Sequence, residues 1–258
     1  MKTAITGATG QLGRLVIQTL LKKTAAKNIV ALVRDEQKAQ DLQEQGITLR
    51  HFDYDQPEHL ADALQEIDQL LLISANEIGR RTPQHQTVIT AAQQAGVKHI
   101  LYTSLLHADR NPLGLAQEHR ETEALIQASG LTFTFLRNNW YSENYLTNIA
   151  HAVETGTLFG SAEQGKISSA SRQDYAEAAA QVLASSGHDN KIYELAGSNS
   201  YSLSDLADYI SQAANKKSDL SKHQCRRLQA SSKCCGSTFR FSRCYCRCRC
   251  PCRTRRII

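Results

Sequence analysis

The chain has 258 residues, a formal net charge of +5 and eight cysteines, a length that suits one large domain or two small ones. All eight cysteines and ten of the thirty Lys and Arg lie in residues 225–258, which hold no Asp or Glu, so residues 1–224 carry 20 basic against 25 acidic side chains. That acidic, cysteine-free body has no apolar run of about 18 residues and no signal-peptide pattern behind Met1, which excludes a membrane-spanning helix there and disfavours secretion; a cytoplasmic protein with no nucleic-acid partner is expected.

Apolar runs, glycine turns and amphipathic stretches then alternate with little slack. Lys2–Thr6 reads as a short buried strand and Gln11–Lys23 as a helix. Asn28–Val33 is a second strand, followed by a polar helix over Glu36–Gln45, a strand at Ile47–Arg50 and a helix that Pro57 opens and Leu64 closes. The run Gln69–Ile73 is nearly all apolar, as a parallel strand covered on both faces should be. A helix over His85–Ala95, a strand at His99–Thr103, a helix over Leu115–Ala128 and a strand at Thr132–Leu136 continue the alternation. Strands separated by helices in this way predict βαβ crossovers and an α/β fold built on a doubly wound parallel sheet. Beyond Arg137 the spacing loosens into a helix over Glu143–Val153, a strand at Thr157–Phe159, a helix over Arg172–Leu183, a strand at Lys191–Leu195 and a helix over Leu203–Ala214. Ser202 and Asp205 form the capping box of that last helix. Residues 1–136 are expected to form a nucleotide-binding domain and 137–217 a smaller substrate lobe.

The first turn names the ligand class. Gly7, Ala8, Thr9, Gly10, Gln11, Leu12 and Gly13 follow the first strand and open the first helix. Gly7 and Gly10 let the backbone turn tightly and approach a pyrophosphate, while Gly13 permits close packing of helix on sheet. No Gly-Lys-Ser/Thr follows, so a Walker A loop is excluded. Arg34, just past the second strand, suits the 2′-phosphate of NADP(H); Asp35 could take the carboxylate role at an unphosphorylated ribose if the strand ended one residue later, but a carboxylate would repel that phosphate, so Asp35 is expected to face solvent, and the alternative for Arg34 is that it merely belongs to a solvated surface. Leu72, Ile73 and Ser74 close the fourth strand beside the expected cofactor path, where Ser74 either bonds ribose or phosphate or caps the following turn. Thr103, Ser104 and His107 lie where substrate should meet nicotinamide, with a satisfied structural hydroxyl as the alternative for the first two.

Short-chain dehydrogenases that reduce carbonyls commonly use a Tyr acid with a Lys four residues later, and none of the nine tyrosines has one. Hydride transfer without that pair suits a quinone, whose conjugated carbonyls accept the hydride readily and whose product takes a proton from water or a weak donor. Asn138, Asn139, Trp140 and Tyr141, followed by Tyr145, place two amides and flat apolar rings just after the sixth strand, either as a pocket wall or, for Trp140, as an anchor of the lobe. His119 occupies the helix that usually carries the Tyr and Lys; it either orients ribose and relays a proton or sits on a solvated face. Asn139, Tyr141 and His119 are the candidate catalytic residues, and the body shows no metal-ligand spacing.

TGATGQLG at 6–13, ALVRD at 31–35, LLLIS at 70–74, YTSLLHAD at 102–109, LAQEH at 115–119 and LRNNWYSENY at 136–145 resemble the atypical short-chain dehydrogenase/reductase family related to NmrA, over about residues 1–217. The resemblance implies a Rossmann-type fold with NADPH phosphates at Gly7 to Leu12, the 2′-phosphate at Arg34, cofactor contact at Leu72 to Ser74, and nicotinamide and quinone near Asn138 to Tyr141. It implies two-electron reduction of a small-molecule quinone without flavin, by a monomer or homodimer. The family also includes NADP-binding redox sensors without turnover and reductases of other activated double bonds.

The likeness stops where residues 218–258 become a Cys/Arg-rich tail with alternating cysteines from Cys244 to Cys252. That alternation lacks the two-to-four-residue turn of zinc knuckles, and the tail has few aliphatic side chains to pack, so it is expected to stay disordered. A metal tail and a basic interaction arm are alternatives, but a shifted reading frame explains more: TGC-CGC-TGC read one base later encodes alanines. Translating the coding DNA in the other two frames should recover Ala/Leu/Asp-rich helical sequence; unrelated text in both would dismiss the shift.

Overall fold

Unbroken apolar strands are stable only when both faces are covered, and this governs the layering. The computed structural model describes residues 1–162 and 164–215, and the backbone of 219–222; the rest of the Cys/Arg-rich tail, with every reading made of it, lies outside the described residues. In chain order the first elements are β1 (Thr3–Ile5), α1 (Gln11–Leu20), β2 (Ile29–Val33), α2 (Gln40–Glu44), β3 (Thr48–His51), α3 (Leu60–Ala63), β4 (Gln69–Leu72) and α4 (Arg81–Gln94). They are followed by β5 (His99–Leu105), α5 (Gly114–Ala128), β6 (Thr132–Asn138), α6 (Leu146–Thr155), β7 (Thr157–Gly160), α7 (Arg172–Ala184), β8 (Lys191–Leu195), α8 (Leu203–Ala214) and β9 (Asp219–Lys222).

Seven strands form one sheet in the order β3-β2-β1-β4-β5-β6-β8, with every pairing parallel. This is the expected doubly wound α/β architecture, and the strand order reverses between β1 and β4, where such sheets bind ligands. All five residues of β2 and all four of β4 are buried. On one face Val16, Ile17 and Leu20 of α1 pack with Tyr175, Ala176, Ala179 and Ala180 of α7, the small alanines letting the two helices approach closely. On the other face Val88 and Ile89 of α4, Leu60 of α3 and Ile126 of α5 cover Leu70, Tyr102 and Phe135.

The described chain divides into two units. The first comprises Met1–Glu143 and Ser168–Asn199, and so contains α7 and β8; the second comprises Asn144–Ile167 and the segment from Ser200 onward. Within the second, β7 pairs parallel with β9, and Ala152, Leu158, Ala207 and Ile210 make its core. Ser202 and Asp205 cap α8 reciprocally as the sequence predicts, and Ser171 with Asp174 does the same for α7.

Several boundaries differ from the sequence reading, and α4 begins at Arg81, four residues before the expected His85. Glu36–Gln45 is a 3₁₀ turn over Glu36–Ala39 followed by the short α2, and the helix expected from Glu143 begins as a 3₁₀ turn over Ser142–Tyr145. Strands β5 and β6 each run two residues past the expected end, because Leu105 pairs with Asn138 and Asn138 with Leu195. Ser104, Arg137 and Asn138 therefore lie within the sheet rather than in loops beyond it.

Arg137 shows why that matters. Its guanidinium grips Glu123 through two hydrogen bonds of 3.0 and 2.7 Å and reaches Asp109 and Glu194 at 2.9 Å each. Ser104 donates to the same Glu123 carboxylate at 2.5 Å. The side chains of Arg137 and Glu123 are 10% and 8% exposed, so removing the cation strands a buried carboxylate. Replacement of Arg137 by Met should cost about 3 kcal/mol or more; a urea-unfolding loss below about 1 kcal/mol would contradict this account.

Candidate functional site

The switch point between β1 and β4 is built by what the backbone may approach. The chain leaves β1 at Ile5 and turns at Gly7, whose φ of +59° favours glycine. Gly10 N donates to Gly7 O at 2.9 Å. A Cβ on Gly13 would lie 2.2 Å from that same Gly7 oxygen, so Gly13 is required by the turn's own backbone and not, as expected, by packing of the helix on the sheet. Gly10 caps α1 with no side chain, and no acidic residue occupies the first turn; the first-turn N–H groups and the dipole are left facing outward for an anion.

Around this turn lies a cavity of about 600 Å³, within the size range of cofactor sites. Its walls are the Gly7 turn, the end of β2 with Arg34, Asp35 and Lys38, the segment Phe52 to Asp55 after β3, and Ile73 to Glu77 after β4 with Gln84 of α4. Of the expected cofactor residues, Gly7, Thr9, Gly10, Gln11, Leu12, Gly13, Arg34, Ile73 and Ser74 line it. Ala8 and Leu72 are fully buried, and Thr103 and Asn138 to Tyr141 do not line it.

Asp35 departs from expectation. It lines the cavity rather than facing away; one oxygen accepts from Gln37 N at 3.1 Å and the other lies 3.2 Å from Lys38 Nζ. Lys38 holds the carboxyl below its ordinary pKa, and offsets its repulsion of any phosphate at Arg34. Lys38 was missed in the sequence, where only its spacing of three from Asp35 could have flagged it. Arg14 of α1 steadies the segment through Asp41 and through the Lys38 carbonyl, the latter at 2.7 Å. Gln84 was also missed: it is 7% exposed, and its buried Oε1 has no hydrogen-bond partner.

The wall after β4 is hung from side chains. Ile73 N donates to Thr6 Oγ1 at 2.9 Å, Ser74 N to Thr103 Oγ1 at 2.9 Å, and Ala75 N to His85 Nε2 at 3.0 Å. Thr103 thus takes the structural-hydroxyl alternative. Since His85 Nε2 accepts, its proton sits on Nδ1 and is donated to Thr122 Oγ1 at 3.0 Å, while Thr122 donates to Glu118 O at 2.8 Å. Arg81 bonds the Ala75 carbonyl at 2.6 Å and Glu118 at 3.1 Å.

His119 is neither a surface residue nor a cavity residue. It is 4% exposed on α5, with Nδ1 2.7 Å from the Tyr102 hydroxyl. Burial pushes the pKa of both His85 and His119 down to about 3. Ser104 is taken up by Glu123. His107 has a φ of +53° and donates its N–H to Glu194 at 2.8 Å.

A second polar group stands at the end of β6. The Asn138 amide is buried with the Tyr141 hydroxyl beside it and no hydrogen bond of good geometry. Asn139 Nδ2 donates to Ser168 O at 2.9 Å, and Trp140 O accepts from Ala170 N at 3.2 Å. The Tyr141 ring meets that of Tyr175 edge-on at 5.2 Å. Tyr145 lies in the second unit, where its ring is 6.5 Å from that of Tyr201. Among the described residues no cluster could hold a metal ion.

A family described as NAD(P)H-binding matches residues 7–186. Quinone oxidoreductase 2 of Escherichia coli (strain K12) is 54% identical over 214 residues, spanning 83% of this chain and 75% of that protein. An NmrA-like family domain-containing oxidoreductase of Aspergillus flavus is 29% identical over 227 residues, 85% of this chain and 74% of its own. The crystal structure of the Escherichia coli NADPH-dependent quinone oxidoreductase complexed with NADPH superimposes with a TM-score of 0.88 at 51% identity, covering 91% of this chain and 83% of that one.

The two buried histidines give the molecule a pH signature. Their folded-state pKa values of about 3 lie below the ordinary value of about 6.5, so the unfolded chain binds more protons. Their contribution is fully present above about pH 6.5 and is lost as pH falls toward 3. Thermal melting from about pH 7 to about pH 4 should show a steadily falling Tm; a flat profile would mean that one or both histidines are charged in the fold.

Proposed function

The chain belongs to the NAD(P)H-binding family with NmrA-like relatives, and from that membership we propose that it is an NADPH-dependent quinone oxidoreductase. The observation that carries the reading is the cavity, where a phosphate-binding turn and the Arg34–Lys38 pair occur together in a chain 54% identical to a quinone oxidoreductase. The residues present fit NADPH. The Gly7 to Gly13 turn would hold the pyrophosphate, Arg34 and Lys38 the 2′-phosphate, and the unmet Gln84 Oε1 marks a place for a donor from the nucleotide. Once bound, NADPH supplies the hydride.

The chain's own part is orientation and proton supply. In this reading the buried Asn138 amide, which has no hydrogen bond of good geometry, would bond the carboxamide, and Trp140 with Tyr141 would offer a flat wall for an electron-poor ring beyond the cavity's own lining. Asn139 is spent on Ser168, so it acts by fixing that loop. His119, too buried to carry a proton near neutrality, supports β5 through Tyr102. Tyr141 is then the candidate donor of the proton that completes the hydroquinone. No described helix is long and apolar enough to cross a membrane, and the proposal includes a cytoplasmic setting and a small-molecule quinone.

Steady-state oxidation of NADPH in the presence of a simple quinone should be catalytic; binding without turnover would assign the chain to the sensors of its family instead. Arg34→Ala and Lys38→Met should each raise the KM for NADPH roughly tenfold, the worth of one charge-assisted contact, and leave that for NADH nearly unchanged. Asp35→Asn should lower the KM for NADPH, and an increase would show that the carboxylate contributes to binding.

A further inference from the structure

No tyrosine here has a lysine four residues on, yet Tyr141 has a cation of its own. The guanidinium carbon of Arg172 lies 4.8 Å from the centre of the Tyr141 ring. Backbone pairing brings them together: Tyr141 bridges in parallel to Ala170, and Ser142 N donates to Ala170 O at 2.9 Å. The Ser142 and Ser169 hydroxyls lie 2.8 Å apart, and Ser171 caps α7 so that Arg172 is its first residue. Glu143 accepts the Arg172 N–H with both carboxylate oxygens, at 2.9 and 3.1 Å, and lies 3.6 Å from Nη1. Arg172 is thereby held over the ring from one side, while Tyr175 closes another edge and Asn138 stands by the hydroxyl.

A cation over an aromatic face is attracted by the ring's negative quadrupole, and more strongly by the full charge of a tyrosinate. We infer that Arg172 is a positioning residue for Tyr141, holding the phenol in place and stabilising the tyrosinate left when its proton passes to the reduced quinone. This rests on the reading of Tyr141 as proton donor. In that step the Tyr141 O–H bond breaks, an O–H bond forms on the hydroquinone oxygen, and water reprotonates the tyrosinate; the hydride with its electron pair comes from NADPH. Burial of Tyr141 pushes its pKa up, the Asn138 amide and then the Arg172 charge pull it down, and the Glu143 carboxylate that pairs with Arg172 pushes it up again. The device separates in sequence what a Tyr-x-x-x-Lys pair keeps on one helix.

The test uses the full chain with Arg172→Gln, Arg172→Lys, Tyr141→Phe and the Gln/Phe double variant. Without any cofactor, tyrosinate absorbance after rapid pH jumps is compared with that of Tyr141→Phe to isolate the Tyr141 component. That component should move to higher pH by about half a unit or more in Arg172→Gln and stay near the parent in Arg172→Lys. With quinone, Arg172→Gln should lower kcat about tenfold with the NADPH KM unchanged, and add no further loss to Tyr141→Phe. An unmoved titration, equal losses from Arg172→Gln with and without Tyr141, or full kcat in Tyr141→Phe would each overturn the inference. Absence of quinone turnover in the parent chain would instead overturn the functional reading, and the titration alone would then decide whether Arg172 acts on Tyr141.

Discussion

The approach of Gly13 to the Gly7 carbonyl is the constraint on which the site depends. A helix can offer its first-turn N–H groups to a ligand only if the strand before it ends close by and no side chain stands between. Here a Cβ at position 13 would collide with the backbone of the preceding turn, and a side chain at Gly7 would face a left-handed backbone. With both removed, α1 starts directly over the edge of β1 at the switch point. The cavity opens around that start, with Arg34 and the segment after β4 as its other walls.

Around this opening the fold solves a second problem, which is where the backbone N–H groups of the cavity wall after β4 go. Unpaired, they would destabilise the structure. Thr6, Thr103 and His85 take three consecutive ones after β4, and Arg81 with Glu118 braces the same segment. Arg137 of β6 ties α5, β8 and the segment after β5 together by binding three carboxylates. Buried polar groups in this protein are mostly fasteners of loops, which explains why several residues that look chemical in the sequence turn out to be structural.

Much of the fold was legible in one dimension. The apolar runs at β2 and β4, the glycine turn, the helix spacing and the Ser202–Asp205 box each rest on neighbours a few residues apart, and each holds. The site was legible where it depends on such local patterns, as for Gly7 to Gly13 and Arg34. It was not legible where partners come from distant segments. Nothing near His119 shows that Tyr102 covers it, and nothing near Tyr141 points to Arg172.

The amino-acid sequence alone therefore determined the alternation of strand and helix, the glycine turn at the head of α1, the cation after β2 and the change of composition that ends the likeness. These follow from periodicity, backbone permissiveness and charge, which act between near neighbours. Tertiary structure decided which hydroxyls and imidazoles are spent on the backbone, that β8 joins the sheet as its seventh strand, and that Tyr141 lies under a cation. Those outcomes depend on parallel pairing and burial between segments far apart in the chain, and no local pattern encodes which side chains such pairing will bring face to face.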